Sequence, residues 1–60
     1  MIYTSLKTGQ SGEIAAIAML YPVKCNDTPK YATHRDENGN LVCFYGTSAV
    51  FDGKCWVELN

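Results

Sequence analysis

Charge of either sign is scarce in this chain: five Lys and Arg stand against six Asp and Glu, a formal net charge of −1. No strong global field therefore draws the molecule toward nucleic acid, anionic membranes or acidic substrates, and binding of that kind needs a local patch. Long hydrophobic runs are also missing. The longest, Ile14 to Tyr21, is eight residues, too short to span a bilayer, so no membrane partner is expected. The stretch Met1 to Gln10 is polar and lacks the basic start and apolar region of a secretory leader. With an initial Met and no tag or linker, the chain reads as a complete small cytoplasmic protein. It has no internal repeats, low-complexity tracts or linkers, and 60 residues suffice for one core, hence a single domain spanning 1–60.

Histidine and closely spaced cysteines are equally sparse. His34 is the only histidine, and Cys25, Cys43 and Cys55 are an odd number, whereas small secreted scaffolds usually carry an even one. Three reduced thiols packed as small hydrophobes are expected, with one disulfide and a spare thiol as the alternative. Cys25, His34, Cys43 and Cys55 make up a Cys₃His ligand set, but at least eight residues separate each from the next. Structural zinc sites hold paired ligands two to four residues apart, so no metal and no cofactor is expected. His34 with Cys43 or Cys25 is the one nucleophile and base pair on offer. A chain this small has little room for a water-excluding pocket beside its core, and no catalytic residue is assigned.

What the chain has is apolar mass: 47% hydrophobic against 18% charged residues, far from the profile of disordered chains. Tyr31 to Arg35 alternates and is followed by the turn cluster Asp36-Glu37-Asn38-Gly39-Asn40 and then Leu41 to Tyr45, a β-hairpin signature. Asp52-Gly53 marks a second hairpin turn between Ala49-Val50-Phe51 and Cys55 to Leu59, and the strands are expected to form a meander. Ile2 to Lys7 has strand propensity. Glu13 to Tyr21 fits a helix capped by Ser11, with Ile14, Ile17, Ala18 and Tyr21 on one face, or a strand apolar on both faces. The expected fold is all-β, a small antiparallel sheet or barrel of four to five short strands, with an α+β form carrying a helix near residues 12–21 as the alternative.

Within this stretch, Leu6-Lys7-Thr8-Gly9-Gln10-Ser11-Gly12-Glu13-Ile14-Ala15-Ala16-Ile17 resembles the Gly-x-x-Gly-x-Ile turn and strand of KOW-type and FeoA-like small barrels. The resemblance covers about a fifth of the chain and does not continue past Met19. It implies an SH3-like barrel and tips Glu13 to Tyr21 toward a strand.

Function is expected to be that of a non-enzymatic protein-interaction module, an inhibitor or adaptor of a larger intracellular protein. Four Tyr and one Trp are residue types enriched at interface centres, and a short sheet leaves edges for a partner strand or a second copy. Alternation places Cys55, Val57 and Leu59 inward with Cys43, leaving Phe44 and Trp56 on a partly wet face with Tyr45 at its rim. The candidate binding residues are Tyr45, Trp56, Phe44, Tyr31, Arg35 and Lys30. The alternative is a weak single-stranded nucleic-acid binder that stacks bases on these aromatics beside Lys24, Lys30, His34 and Arg35. Asp27, Asp36 and Glu37 among those cations weaken that reading.

Overall fold

The computed structural model describes residues 1–59, and they form an antiparallel all-β fold with no closed barrel. Seven short strands are present: β1 Tyr3–Ser5, β2 Ser11–Gly12, β3 Pro22–Lys24, β4 His34–Asp36, β5 Leu41–Phe44, β6 Ala49–Phe51 and β7 Trp56–Glu58, with a 3₁₀ turn at Pro29–Tyr31. Five of them make one sheet in the order β2-β1-β4-β5-β3, and β6 and β7 pair separately. The expected meander therefore breaks after β5. Gly46, at φ +83°, reverses the chain there, and the second hairpin packs against the sheet instead of extending it.

The turns follow from their residues. In the β4–β5 hairpin Gly39 takes φ +87°, and the Asp36 carboxylate Oδ1 accepts the backbone N–H groups of Asn38 and Asn40, both at 2.9 Å. Between β6 and β7 Gly53 has φ +107°, and Asp52 Oδ1 accepts the N–H of Lys54 at 2.9 Å and of Cys55 at 2.7 Å. Each aspartate thus satisfies backbone donors that a tight turn leaves without strand partners.

Strand parity decides the core. On the five-stranded sheet Tyr3, Ser5, His34, Asp36, Val42 and Phe44 are buried on one face, as alternation along β1, β4 and β5 requires. Trp56, only 3% exposed, closes over that face from β7. Its ring lies 4.3 Å from the His34 ring at 89° and 5.0 Å from Phe51, while His34 also meets Phe44 at 4.9 Å. Leu20 joins the buried cluster, with Ile14, Ala18 and Ala49 packed against it.

This arrangement inverts the expected facing of β5 and β7. Phe44 and Trp56 point into the core, while Cys43 is half-buried and Leu59 exposed. On β5 both alternate sets are apolar, and on β7 Trp56 carries the charged Glu58 on its own side, so polarity does not choose the face and area does. Burying the two large rings removes more apolar surface from water than burying thiols and aliphatics, at roughly 25 cal/mol per Å². His34, expected near solvent at the hairpin end, is 5% exposed because the register sets it opposite Val42 and Ser5.

Residues 13–21 are neither helix nor strand. A helix needs their N–H groups for its own carbonyls, but Ala15 N–H donates to Trp56 O at 2.9 Å and Met19 N–H to Glu58 Oε2 at 2.7 Å. Trp56 N–H in turn donates to Glu13 O at 2.8 Å, giving a single parallel bridge between Ile14 and Trp56. Of the barrel-like signature, the β1–β2 hairpin is present, with Gly9 at φ +79°, but the strand expected after Gly12 stops at that bridge. Gly12 has a different task. A Cβ there would lie 2.5 Å from the Lys54 carbonyl oxygen and 3.0 Å from the Phe51 ring, so the second hairpin seats on β2 only over a residue without a side chain.

Two glycines of opposite kind give a first test. Gly12→Ala is expected to destabilise by about 1 to 3 kcal/mol through overpacking against backbone, and Gly39→Val by a similar 1 to 3 kcal/mol through positive φ alone, with open space around it. Urea melts measure both, and unchanged midpoints would discard the seating and the turn respectively. Trp56→Ala, at a cost of about 3 to 5 kcal/mol, should leave little or no cooperative urea transition, and a native-like midpoint would remove Trp56 from the core.

Candidate functional site

The face of the sheet opposite the core is left open by the fold and carries several exposed apolar side chains. Register places Val23 across from Cys43, and Arg35 across from both Leu41 and Thr4. Tyr21 and Tyr45, one residue beyond these strand pairs, are tied by Tyr45 N–H to Tyr21 O at 3.0 Å. Alternation therefore lines this face with Val23 from β3 and Tyr21 just before it, Leu41 and Cys43 from β5 and Tyr45 just after it, Arg35 from β4, and Thr4 from β1 with Ile2 and Leu6 flanking that strand. Tyr45 is 75% exposed and Tyr21 58%, with Val23, Leu6 and Ile2 also exposed. Ile17 and Met19, in the segment leading to β3, are exposed as well.

At the end of the sheet, where β1 and β5 finish and β4 begins, a groove of about 680 Å³ opens between Ser5–Lys7, Tyr31–His34, Cys43–Phe44 and Thr47–Ala49. Its polar groups are largely engaged. Ser5 Oγ accepts the N–H of Lys7 at 3.2 Å and of Thr8 at 3.1 Å, and Thr33 Oγ1 is 2.8 Å from His34 Nδ1. His34 Nε2 is buried and finds no hydrogen-bond partner among the described residues; the Phe44 and Trp56 rings lie beside the imidazole at 77° and 89° to its plane. Burial holds the imidazole below the ordinary histidine range, so it is neutral at neutral pH.

Alternation puts His34 and Cys43 on opposite faces of the sheet, with His34 bonded to Thr33 and the Cys43 sulfur 2.8 Å from that of Cys25. The nucleophile and base pairing weighed from sequence is not assembled. Among the described residues no three His, Cys, Asp or Glu side chains converge as metal ligands, and no helix is long and apolar enough to cross a membrane.

The six sequence-derived candidates separate. Tyr45 and Arg35 lie on the open face, the Arg35 guanidinium donating to Gly39 O at 2.8 Å. Tyr31 is exposed at the groove, with the Lys30 ammonium 5.2 Å from its ring. Phe44 and Trp56 are core residues, unavailable as surface anchors. Tyr21 and Val23 were missed; the signal lay in the apolar alternation up to Pro22, whose meaning depends on pairing with β5.

His34 supplies a pH test. Its folded pKa is depressed, so below its ordinary value of about 6.5 the unfolded chain binds more protons than the folded one, and stability falls as pH falls. Asp36 and Asp52 also sit below the carboxylate range. For Asp36, burial pushes upward but is outweighed by hydrogen bonds from Asn40 and Asn38 and by the Lys24 charge; for Asp52, the Cys55 and Lys54 N–H groups dominate. Both act only at lower pH. Denaturant midpoints should drop between about pH 7 and 5 in the native protein and stay flatter in His34→Phe; parallel profiles would show that another group titrates there. No protein-family model, curated protein or solved structure matches this chain.

Proposed function

We propose that the chain is a small non-enzymatic protein-interaction module of the cytoplasm, docking through its open sheet face on a larger protein as an inhibitor or adaptor does. One observation carries this reading. Eleven large hydrophobic residues are exposed while six form the buried apolar set, and Tyr21, Val23, Tyr45, Leu6 and Ile2 fall on one face. Apolar surface gathered in this way, rimmed by polar groups, marks interaction sites more often than scattered exposure does. Tyr21 and Tyr45 are exposed on this face, and tyrosine is a residue type that anchors interfaces.

Docking by side chains suits this face better than strand addition. β3 is exposed along its whole length, but Pro22 has no N–H to offer and Lys24 is charged, two devices that blunt an edge. At the other edge β2 is two residues long. The odd cysteine count supports the cytoplasmic placement. Among the described residues Arg35 is the one cation that register places on the open face, too few for a phosphate-tracking groove.

The test is capture of a partner from cell lysate by the native chain and by Tyr45→Ala and Tyr21→Ala, with folding checked by melting. Both variants should fold and lose 2 kcal/mol or more of binding, about thirtyfold in affinity, and the native complex should persist as salt is raised. A complex that dissolves with salt points to nucleic acid instead, and undiminished capture by both variants removes the open face from the reading.

A further inference from the structure

Two of the three thiols occupy one place on the open face. Cys25 follows β3 and Cys43 lies in β5, held in register by Cys25 N–H donating to Leu41 O at 2.7 Å and by the pairing of Val23 with Cys43. Their sulfur atoms are 2.8 Å apart, inside van der Waals contact and short of the roughly 2.05 Å of a covalent bond. Cys55 stands apart from both, in the turn before β7. The contact joins segments 18 residues apart, and β3 is otherwise bonded to the sheet on one side only.

We propose that Cys25 and Cys43 are a redox-modification site, forming a reversible intramolecular disulfide that pins edge strand β3 to β5. The oxidant is a small-molecule disulfide of the glutathione class. Cys43, the more open of the two, attacks as thiolate on one sulfur of the oxidant and displaces one small thiol. Cys25 then loses its proton and attacks the Cys43 sulfur of the mixed disulfide, displacing the second. The protein gives up two electrons and two protons, and the oxidant leaves as two thiols. Cys25 is 4% exposed, which shields it from a second oxidant molecule and leaves the internal bond as its outcome. The neighbouring Cys25 thiol, with burial, raises the Cys43 pKa, so the first step quickens as pH rises. This site does not depend on the docking function proposed above.

The experiment uses the full chain as Cys55→Ser, treated with glutathione disulfide, quenched in acid and measured by intact mass, peptide mapping and thermal melting. The expected product is lighter by two hydrogen atoms, carries a Cys25–Cys43 link, melts higher by on the order of 10 °C and reverts with dithiothreitol. Cys25→Ser in the same background should gain a single glutathione on Cys43. The native three-cysteine chain, mapped in parallel, should show the same link, which keeps the test valid if Cys55→Ser folds poorly. A link that includes Cys55, two glutathione adducts, two unmodified thiols or a lower melting temperature after oxidation would each overturn the proposal.

Discussion

The indole N–H of Trp56 donates to the carbonyl oxygen of Tyr3 at 2.9 Å in a buried setting, joining the last strand of the second hairpin to the first strand of the sheet. The same side chain packs against the His34 and Phe51 rings within the core cluster. The backbone of Trp56 also bonds Glu13 and Ala15, so one residue holds both the sheet face and the segment leading from β2. A core of this size supplies only about 3 to 5 kcal/mol of net stability. Leaving a buried carbonyl without its donor costs about 1 to 3 kcal/mol, and the indole ring adds its own burial. The fold therefore has little reserve outside this one side chain.

Concentrating the rings there has a consequence for the surface. Tyr3, Phe44 and Trp56 are buried and Phe51 packs against Trp56, which leaves Tyr21, Tyr31 and Tyr45 outside. A short chain cannot bury two layers: it hides about 60% of its unfolded surface, and the second hairpin covers one face of the sheet. The opposite face stays apolar and open by geometry. Tyrosine tolerates that position because its hydroxyl reaches water while its ring gives area to a partner at little entropic cost.

The turns were legible in the sequence because their causes are local. Gly39 and Gly53 take positive φ, and Asp36 and Asp52, which begin these turns, supply acceptors within four residues. The parity of the strands was not. Val42 and Phe44 compete with Leu41, Cys43 and Tyr45 for the inside, both sets are apolar, and the winner depends on Trp56 arriving from a distant strand. His34 looked exposed because it lies near a turn, and its burial follows from pairing with β1, which no local pattern encodes. Gly12 read as turn material, yet its task is to admit the Lys54 carbonyl. Glu13 to Tyr21 was balanced between helix and strand because its deciding partners, Trp56 and Glu58, lie at the far end of the chain. Of the candidate residues, Tyr45 reads in the sequence as the rim of the face assigned to Phe44 and Trp56, which is the core, and Arg35 as part of the basic cluster; their place on the open face, like that of Tyr21 and Val23, follows only from register.

The open face and the thiol pair occupy the same strands, and this links the two proposals thermodynamically without making either depend on the other. Tyr21 and Cys25 flank β3, which carries Val23, and Tyr45 follows the end of β5, which carries Cys43. A bond between the sulfurs removes conformations in which β3 strays from β5, and those conformations also separate Tyr21 from Tyr45. A partner that requires both rings binds the pinned form without the cost of ordering the edge strand. Linkage is reciprocal, so the factor by which the disulfide tightens binding equals the factor by which the bound partner stabilises the disulfide against reduction. A partner that instead inserts between β3 and β5 favours the reduced chain by the same logic. The sign of the coupling thus reports how the edge strand is used.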